Sequence, residues 1–224
     1  MGRMIVIDGL DGSGKATQAE MLKNRLREKG YGIYSLDLPC YNDPSSTLVR
    51  MYLSGELGDK PGDVNCFAAS TFFGVDRYAS YKKHWEKEYN SDKIVVANRY
   101  TTSNACHQMT KLPEENWDSY MDWLFDFEYN KLGIPEPDLV IFLEMPVEIS
   151  QRLLSERYCG DEDKKDVHER DTEYLSNCHR AAVYAADKLG WTTVNCSRDG
   201  EIRSREDIAD ELFSIVERKF LFND

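Results

Sequence analysis

The strongest chemical signal in the chain is Gly9-Leu10-Asp11-Gly12-Ser13-Gly14-Lys15-Ala16-Thr17. Gly9, Gly14 and Lys15 have the spacing of a phosphate-binding P-loop. Glycines let successive backbone N–H groups curl around a phosphate with no side chains in the way. A helix starting near Lys15 adds its positive end, and Lys15 itself brings a mobile point charge toward β- and γ-phosphates. Residues 9–17 are therefore the expected ATP-binding segment. The usual motif has Ser or Thr directly after the lysine, where the hydroxyl meets Mg²⁺. Here that position is Ala16, and the hydroxyl follows at Thr17. Either Thr17 contacts the α-phosphate while the metal is held through waters and carboxylates elsewhere, or the site handles metal poorly. The first is favoured, because Mg²⁺ commonly keeps several waters.

A frame must hold this loop. Residues 4–8 are a short apolar run entering the glycine turn, the pattern of a buried strand. Residues 17–29 carry apolar side chains near helical spacing and stop at Gly30. Further strands are expected over 31–38, 93–97, 138–143 and 191–195. Helices are expected over 44–53, 63 to about 88, 117–131, 147–157, 172–189 and 205–220, with a charged loop over 161–166. Strands alternating with helices predict an α/β fold with a mostly parallel five-stranded sheet. No Pro/Gly/Ser-rich linker interrupts the chain, so residues 1–224 read as one domain.

Lys plus Arg number 28 and Asp plus Glu 40, a formal charge of −12 over 224 residues. Such a chain suits neither duplex phosphates nor an anionic membrane surface. No apolar stretch approaches the roughly 18 residues of a membrane span, and the apolar amino-terminal run is too short for a signal peptide. The six cysteines form no CxxC pair and read as free thiols of a reducing compartment. The expectation is a cytoplasmic protein whose partners are small-molecule nucleotides, with no nucleic acid and no membrane.

Several segments, in order, resemble the thymidylate kinase family. Ile7-Asp8-Gly9-Leu10-Asp11-Gly12-Ser13-Gly14-Lys15 is similar to its P-loop, which carries an acid inside the loop. Leu38-Pro39-Cys40-Tyr41 resembles its FPRY segment, and Phe73 to Arg77 its F(x)₃R helix. Asn98-Arg99-Tyr100-Thr101-Thr102-Ser103-Asn104-Ala105 resembles its DRYxxSxxA stretch. Ile134-Pro135-Glu136-Pro137-Asp138 resembles the entry to its fourth strand, and Asp166-Val167-His168-Glu169 the close of its lid.

The resemblance implies a P-loop three-layer fold with a mobile lid, phosphoryl transfer from ATP to dTMP with Mg²⁺, and a homodimer. It implies a monophosphate-binding region over about residues 37–110 and a lid over about 152–171. Lys15 would serve the donor, and Arg99 would clamp the acceptor phosphate with a guanidinium fork. Phe73 would stack on the thymine. Arg77, one helical turn on, would donate to its O4. Asn104 and Gln108 would meet the base edge. Asp11, Pro39, Tyr41 and Ser103 complete the expected acceptor site. His107 stands where the family often has an aromatic residue judging the sugar's 2′ position, and would fill that volume and donate a hydrogen bond. Asp11, Thr17 and Glu169 are the candidate protein ligands for Mg²⁺.

Asn98 replaces the family's DRY aspartate and Cys40 its FPRY arginine. The two losses are opposite in sign, and the expectation is that they offset locally. Pro39 is a candidate for a cis peptide. In the lid, Arg157 is the expected catalytic cation, with Arg152, Lys164, Lys165 and Arg170 as alternatives. Two rivals stay open: a kinase for another nucleoside or deoxynucleoside monophosphate, and a non-catalytic nucleotide-binding regulator of the same fold.

Overall fold

An apolar run without polar alternation must be buried on both faces. Accordingly Met4, Ile5, Val6 and Ile7 of β1 (Arg3–Gly9) are all 0% exposed in the computed structural model, which describes residues 2–157 and 172–221. β1 lies at the centre of the expected five-stranded parallel sheet. Its neighbours are β3 (Ile94–Asn98) and β4 (Leu139–Glu144), with β2 (Ile33–Asp37) and β5 (Thr192–Asn195) outside them.

Side chains alternate across the sheet. Ile5 and Ile7 face a core shared with Ala19, Leu22 and Leu26 of α1 (Lys15–Glu28) and with Leu212, Phe213 and Val216 of α9 (Arg205–Val216). Met4 and Val6 face the aromatic layer of Tyr81, Trp85, Tyr89 and Tyr100. Burying each large apolar side chain contributes about 1.5–3 kcal/mol. The chain runs from β1 outward to β2, returns through β3 and crosses to β4, so the strand order reverses around β1. In open α/β sheets ligands bind beyond the carboxyl ends of the strands at such a reversal.

The other helices sit largely where the apolar pattern predicts. Asp43 caps the short 3₁₀ turn Pro44–Ser46 by accepting from Ser45 N at 3.0 Å, and α2 (Thr47–Leu53) follows. The long segment from 63 becomes α3 (Cys66–Ser80), a π-helical turn (Tyr81–Trp85) and α4 (Glu86–Tyr89). The segment expected over 117–131 is α6 (Trp117–Phe125) followed by a π-helical turn (Asp126–Lys131). α7 (Val147–Arg157) and α8 (Thr172–Lys188) complete the set.

The sequence reading misses a helix and a hairpin. α5 (Thr102–His107) follows β3 directly, and β6 (Ser197–Arg198) pairs with β7 (Glu201–Ile202) as a small hairpin. The charged loop 161–166, with Lys164, Lys165, Glu169 and Arg170, lies outside the described residues. Cys40, Cys66, Cys106, Cys178 and Cys196 are free. No helix among the described residues is long and apolar enough to cross a membrane.

Candidate active site

The turn after β1 presents backbone donors toward one spot. Gly14 caps α1 at φ 83, with no side chain on its donors and no acid in the first helical turn. The orphan N–H groups and the positive end of the helix therefore stay unopposed. A Cβ at Gly14 would meet nothing within 4 Å, so only the left-handed backbone calls for glycine there. Gly12 differs: its Cβ would stand 2.4 Å from the Ser150 carbonyl oxygen, because α7 leans on the loop. Lys15 curls inward, donating from Nζ to the Leu10 carbonyl at 2.7 Å, with Asp11 Oδ1 at 3.9 Å. Burial, and Arg99 nearby, push its ammonium down to about 8.

Arg99 leaves the end of β3 at φ 67, a left-handed backbone that costs a non-glycine residue roughly 1–3 kcal/mol. Its amide donates to Ile7 O at 3.1 Å, tying the strained residue to β1. Nη2 pairs with Asp11; Nη1 donates to Ser103 Oγ at 3.4 Å and lies 3.3 Å from His107 Nε2. Burial alone would raise the Asp11 carboxyl, but Arg99 and Lys15 hold it well below the usual range. Burial likewise opposes the charge of Arg99, and Asp11 with Asp8 raises it above an ordinary arginine. Beneath them Asp8, 0% exposed, accepts from Gly9 N at 2.9 Å, Thr102 Oγ1 at 2.5 Å and Ser103 Oγ at 2.9 Å. It thus stitches the P-loop to α5.

The far end is built on α3 and α5. Arg77 meets Glu128 in a buried fork, Nε to Oε2 at 2.6 Å and Nη2 to Oε1 at 2.8 Å. Burial works against the Arg77 charge, and Glu128 more than restores it. Asn104 Nδ2 and Thr101 Oγ1 reach the same carboxylate. Phe73 stands edge-on to Tyr52, centroids 6.2 Å apart at 86°. Tyr52 OH donates to Gln108 Oε1 at 3.4 Å and accepts from Lys111 Nζ at 2.8 Å. The Leu38–Pro39 peptide is cis.

A single cleft of about 1290 Å³ joins these ends. Asp11, Gly12, Ser13, Gly14, Lys15, Ala16 and Thr17 line its floor beside α7. Pro39, Tyr41, Phe73, Arg77, Arg99, Ser103, Asn104, His107 and Gln108 line the rest. A positively ended loop at one end and a polar–aromatic pocket at the other, with an arginine between, suits two anionic ligands held end to end. A second cavity, of about 780 Å³, opens by the amino ends of β4 and β5.

A sequence model described as thymidylate kinase matches residues 7–206. The chain belongs to the thymidylate kinase family. It is 30% identical over 184 residues to the thymidylate kinase of Mycobacterium tuberculosis, covering 81% of this chain and 84% of that one. It is 33% identical over 202 residues to a probable thymidylate kinase of Methanothermobacter thermautotrophicus, 90% of each chain. The probable thymidylate kinase of Thermococcus gammatolerans matches over 99% of both chains at 28% identity. The solved structure of a thymidylate kinase from Candida albicans shares the fold, with a TM-score of 0.70 over 97% of this chain and 92% of that one, at 20% identity.

Of the residues expected at a thymidylate kinase site, Gly9 and Leu10 are buried below the loop rather than lining the cleft. Arg157 ends α7, and its side chain lies outside what is described, as does Glu169. Arg152 is exposed and off the cleft wall. Asp8, Glu128, Asp76 and the wall Ile202–Ser204–Arg205 escape the sequence reading. Asp8 stands next to the glycine turn and was visible as a strand-end carboxylate. Glu128 carries no local signal because its partner Arg77 is distant in sequence, and Arg205 reads only as one charge at the start of the closing helix.

Asn98 and Cys40 lie close together at the carboxyl end of β2, each with a hydrogen bond to Asp37. Asn98 Nδ2 donates to Asp37 Oδ1 at 3.1 Å, whereas the Cys40 amide donates to buried Asp76 at 2.9 Å and its thiol to Ser80 Oγ at 3.2 Å. The Cys40 thiol also lies 3.9 Å from the Asp37 carbonyl oxygen, so the two positions meet at Asp37.

Proposed function

We propose that this protein transfers the γ-phosphoryl group of ATP to dTMP, giving ADP and dTDP. The observation that carries the reading is the single cleft joining the P-loop to the Arg77–Asn104 pocket past Arg99. The donor triphosphate lies on the backbone donors of residues 12–15, with Lys15 at its β- and γ-phosphates. Arg99 exchanges Asp11 for the acceptor phosphate and fixes the attacking oxygen. Phe73 stacks on the base, while Arg77 and Asn104 read its edge. Arg205 and Ile202 form the outer wall of the donor end. Catalysis of this kind is mostly positioning and charge stabilisation.

The oxygen donors Asp11 and Thr17 suit Mg²⁺, a hard cation that keeps several waters and is held chiefly by substrate phosphates. When bound, Mg²⁺ neutralises charge developing on the phosphates. Arg157, at the end of α7, is the lid cation proposed to reach the transferred group on closure.

The protein works in the cytoplasm as a homodimer. Phe67, Val75 and Tyr78 of α3, 42%, 45% and 40% exposed, make one apolar stripe at helical spacing, a face suited to a second copy.

A second reading, toward a ribonucleotide acceptor, draws on His107. Its imidazole sits beside Arg99, between the phosphate and base ends, where a sugar would lie. Incubation with ATP, Mg²⁺ and dTMP, dUMP, dCMP, dGMP or UMP, with ADP measured, separates the readings. The expected order is dTMP first, dUMP second and the rest slower by about 10-fold or more. A folded, ATP-binding sample that turns over no acceptor would overturn the kinase reading, and UMP leading would favour the second.

A further inference from the structure

Glu128 is 0% exposed, yet no substrate step uses it. It sits on the π-helical turn Asp126–Lys131 that ends α6, a kind of helical irregularity often found at functional sites. Its two oxygens collect four donors. Oε2 accepts from Arg77 Nε at 2.6 Å and Thr101 Oγ1 at 2.8 Å; Oε1 accepts from Arg77 Nη2 at 2.8 Å and Asn104 Nδ2 at 3.4 Å.

An ionised carboxylate only accepts hydrogen bonds. The Asn104 atom facing it must therefore be the amide nitrogen, which settles an orientation that atom positions alone leave ambiguous. Asn104 Oδ1 is then turned from Glu128 and makes no hydrogen bond among the described residues. The same fork occupies the Nε–Nη2 edge of Arg77 and leaves Nη1 without a hydrogen bond among them. Both residues line the cleft. Together they offer one donor and one acceptor.

A pyrimidine with a 4-oxo group and an N3–H presents acceptor then donor, which matches. Cytosine presents a 4-amino donor beside an unprotonated N3, the reverse polarity. We propose that Glu128 is a specificity-determining positioning residue that locks Arg77 and Asn104 into the polarity that accepts thymine or uracil and rejects cytosine. This rests on the dTMP kinase reading. A site built around such bonds rejects the mismatched ligand strongly, because its own buried groups would be left unpaired.

Glu128→Gln keeps the shape and adds a donor, so Asn104 can invert. The ratio of kcat/KM for dTMP over dCMP should fall by about 10-fold or more through the acceptor KM, with the ATP KM unchanged. Glu128→Asp keeps an acceptor-only group and should retain most of the ratio at lower activity. An equal loss toward dTMP and dCMP in Glu128→Gln would mean a merely structural role and overturn the proposal. If that variant fails to fold, Thr101→Val tests the same point, since Thr101 touches the carboxylate and not the cleft. The ratio should fall about 2-fold or more, and an unchanged ratio overturns the proposal. A wild-type protein inactive on dTMP would instead defeat the kinase reading itself.

Discussion

Arg99 was legible in the sequence as an arginine just past a buried strand, but its partners were not. Asp11 is 88 positions away, and the Asp8 carboxylate that steadies Ser103 is 95 away. Spacing rules reach a helical turn or a strand pair, so residue types within one motif read well and pairings between motifs do not. Glu128 is the clearest case, 51 positions from Arg77. Asn98 makes the point in a testable way. The negative charge absent at 98 is present one strand over, because Asp37 is its paired position on β2. Asn98→Asp would set two carboxylates side by side and should lower stability by about 1 kcal/mol, with Asp37→Asn in the same chain restoring it. Thermal melts of the two singles and the double measure this; an Asn98→Asp melt equal to wild type would contradict it.

At the scale of elements, the long apolar periods gave the strands and helices correctly. α5 was missed because its residues, Thr102-Ser103-Asn104-Ala105-Cys106-His107, are mostly weak helix formers with no apolar stripe. It forms because Asp8 anchors its first turn and α8 packs on it. The two-residue strands β6 and β7 are too short for any pattern. The two loop glycines should respond differently. Gly12→Ala drives a Cβ into the Ser150 carbonyl at a positive φ and should cost about 2–4 kcal/mol, whereas Gly14→Ala should cost about 1 kcal/mol. Denaturant unfolding reads both.

The turn Met109–Lys111 carries a pH effect. Burial pushes Lys111 down to about 8 from an ordinary 10.5. At this lysine the folded protein then holds fewer protons than the unfolded chain between these values, so its contribution to stability rises as pH climbs through that window, against the buried cysteines, whose raised thiols work the other way above about pH 9. Lys15, also near 8, adds its own share. Lys111→Met removes this contribution, so the variant's stability relative to wild type should fall between pH 7.5 and pH 10, as unfolding at the two values would reveal; an unchanged difference would contradict it.

Over the whole molecule the charge of −12 argues against polymeric phosphates and anionic surfaces, while the P-loop argues for a small anionic ligand met by local positive charge. The cations of the cleft come with internal partners. Lys15 and Arg99 already share Asp11, and Arg77 is neutralised by Glu128. The cleft offers charges held in internal pairs, so anion binding proceeds by exchange of partners. The proposed dimer belongs to this scale as well. Val75→Glu on the exposed α3 stripe should give a monomer in sedimentation at micromolar protein; wild type sedimenting as a monomer there would remove the dimer.

The central claim is group transfer from one end of the cleft to the other, and isotope tracing tests it most directly. With γ-³²P-ATP, Mg²⁺ and dTMP, the wild-type protein should place the label in dTDP, and Lys15→Met, still folded, should lose about 100-fold or more of that rate. Label appearing only as inorganic phosphate, or dTDP formed equally well without Lys15, would contradict the account.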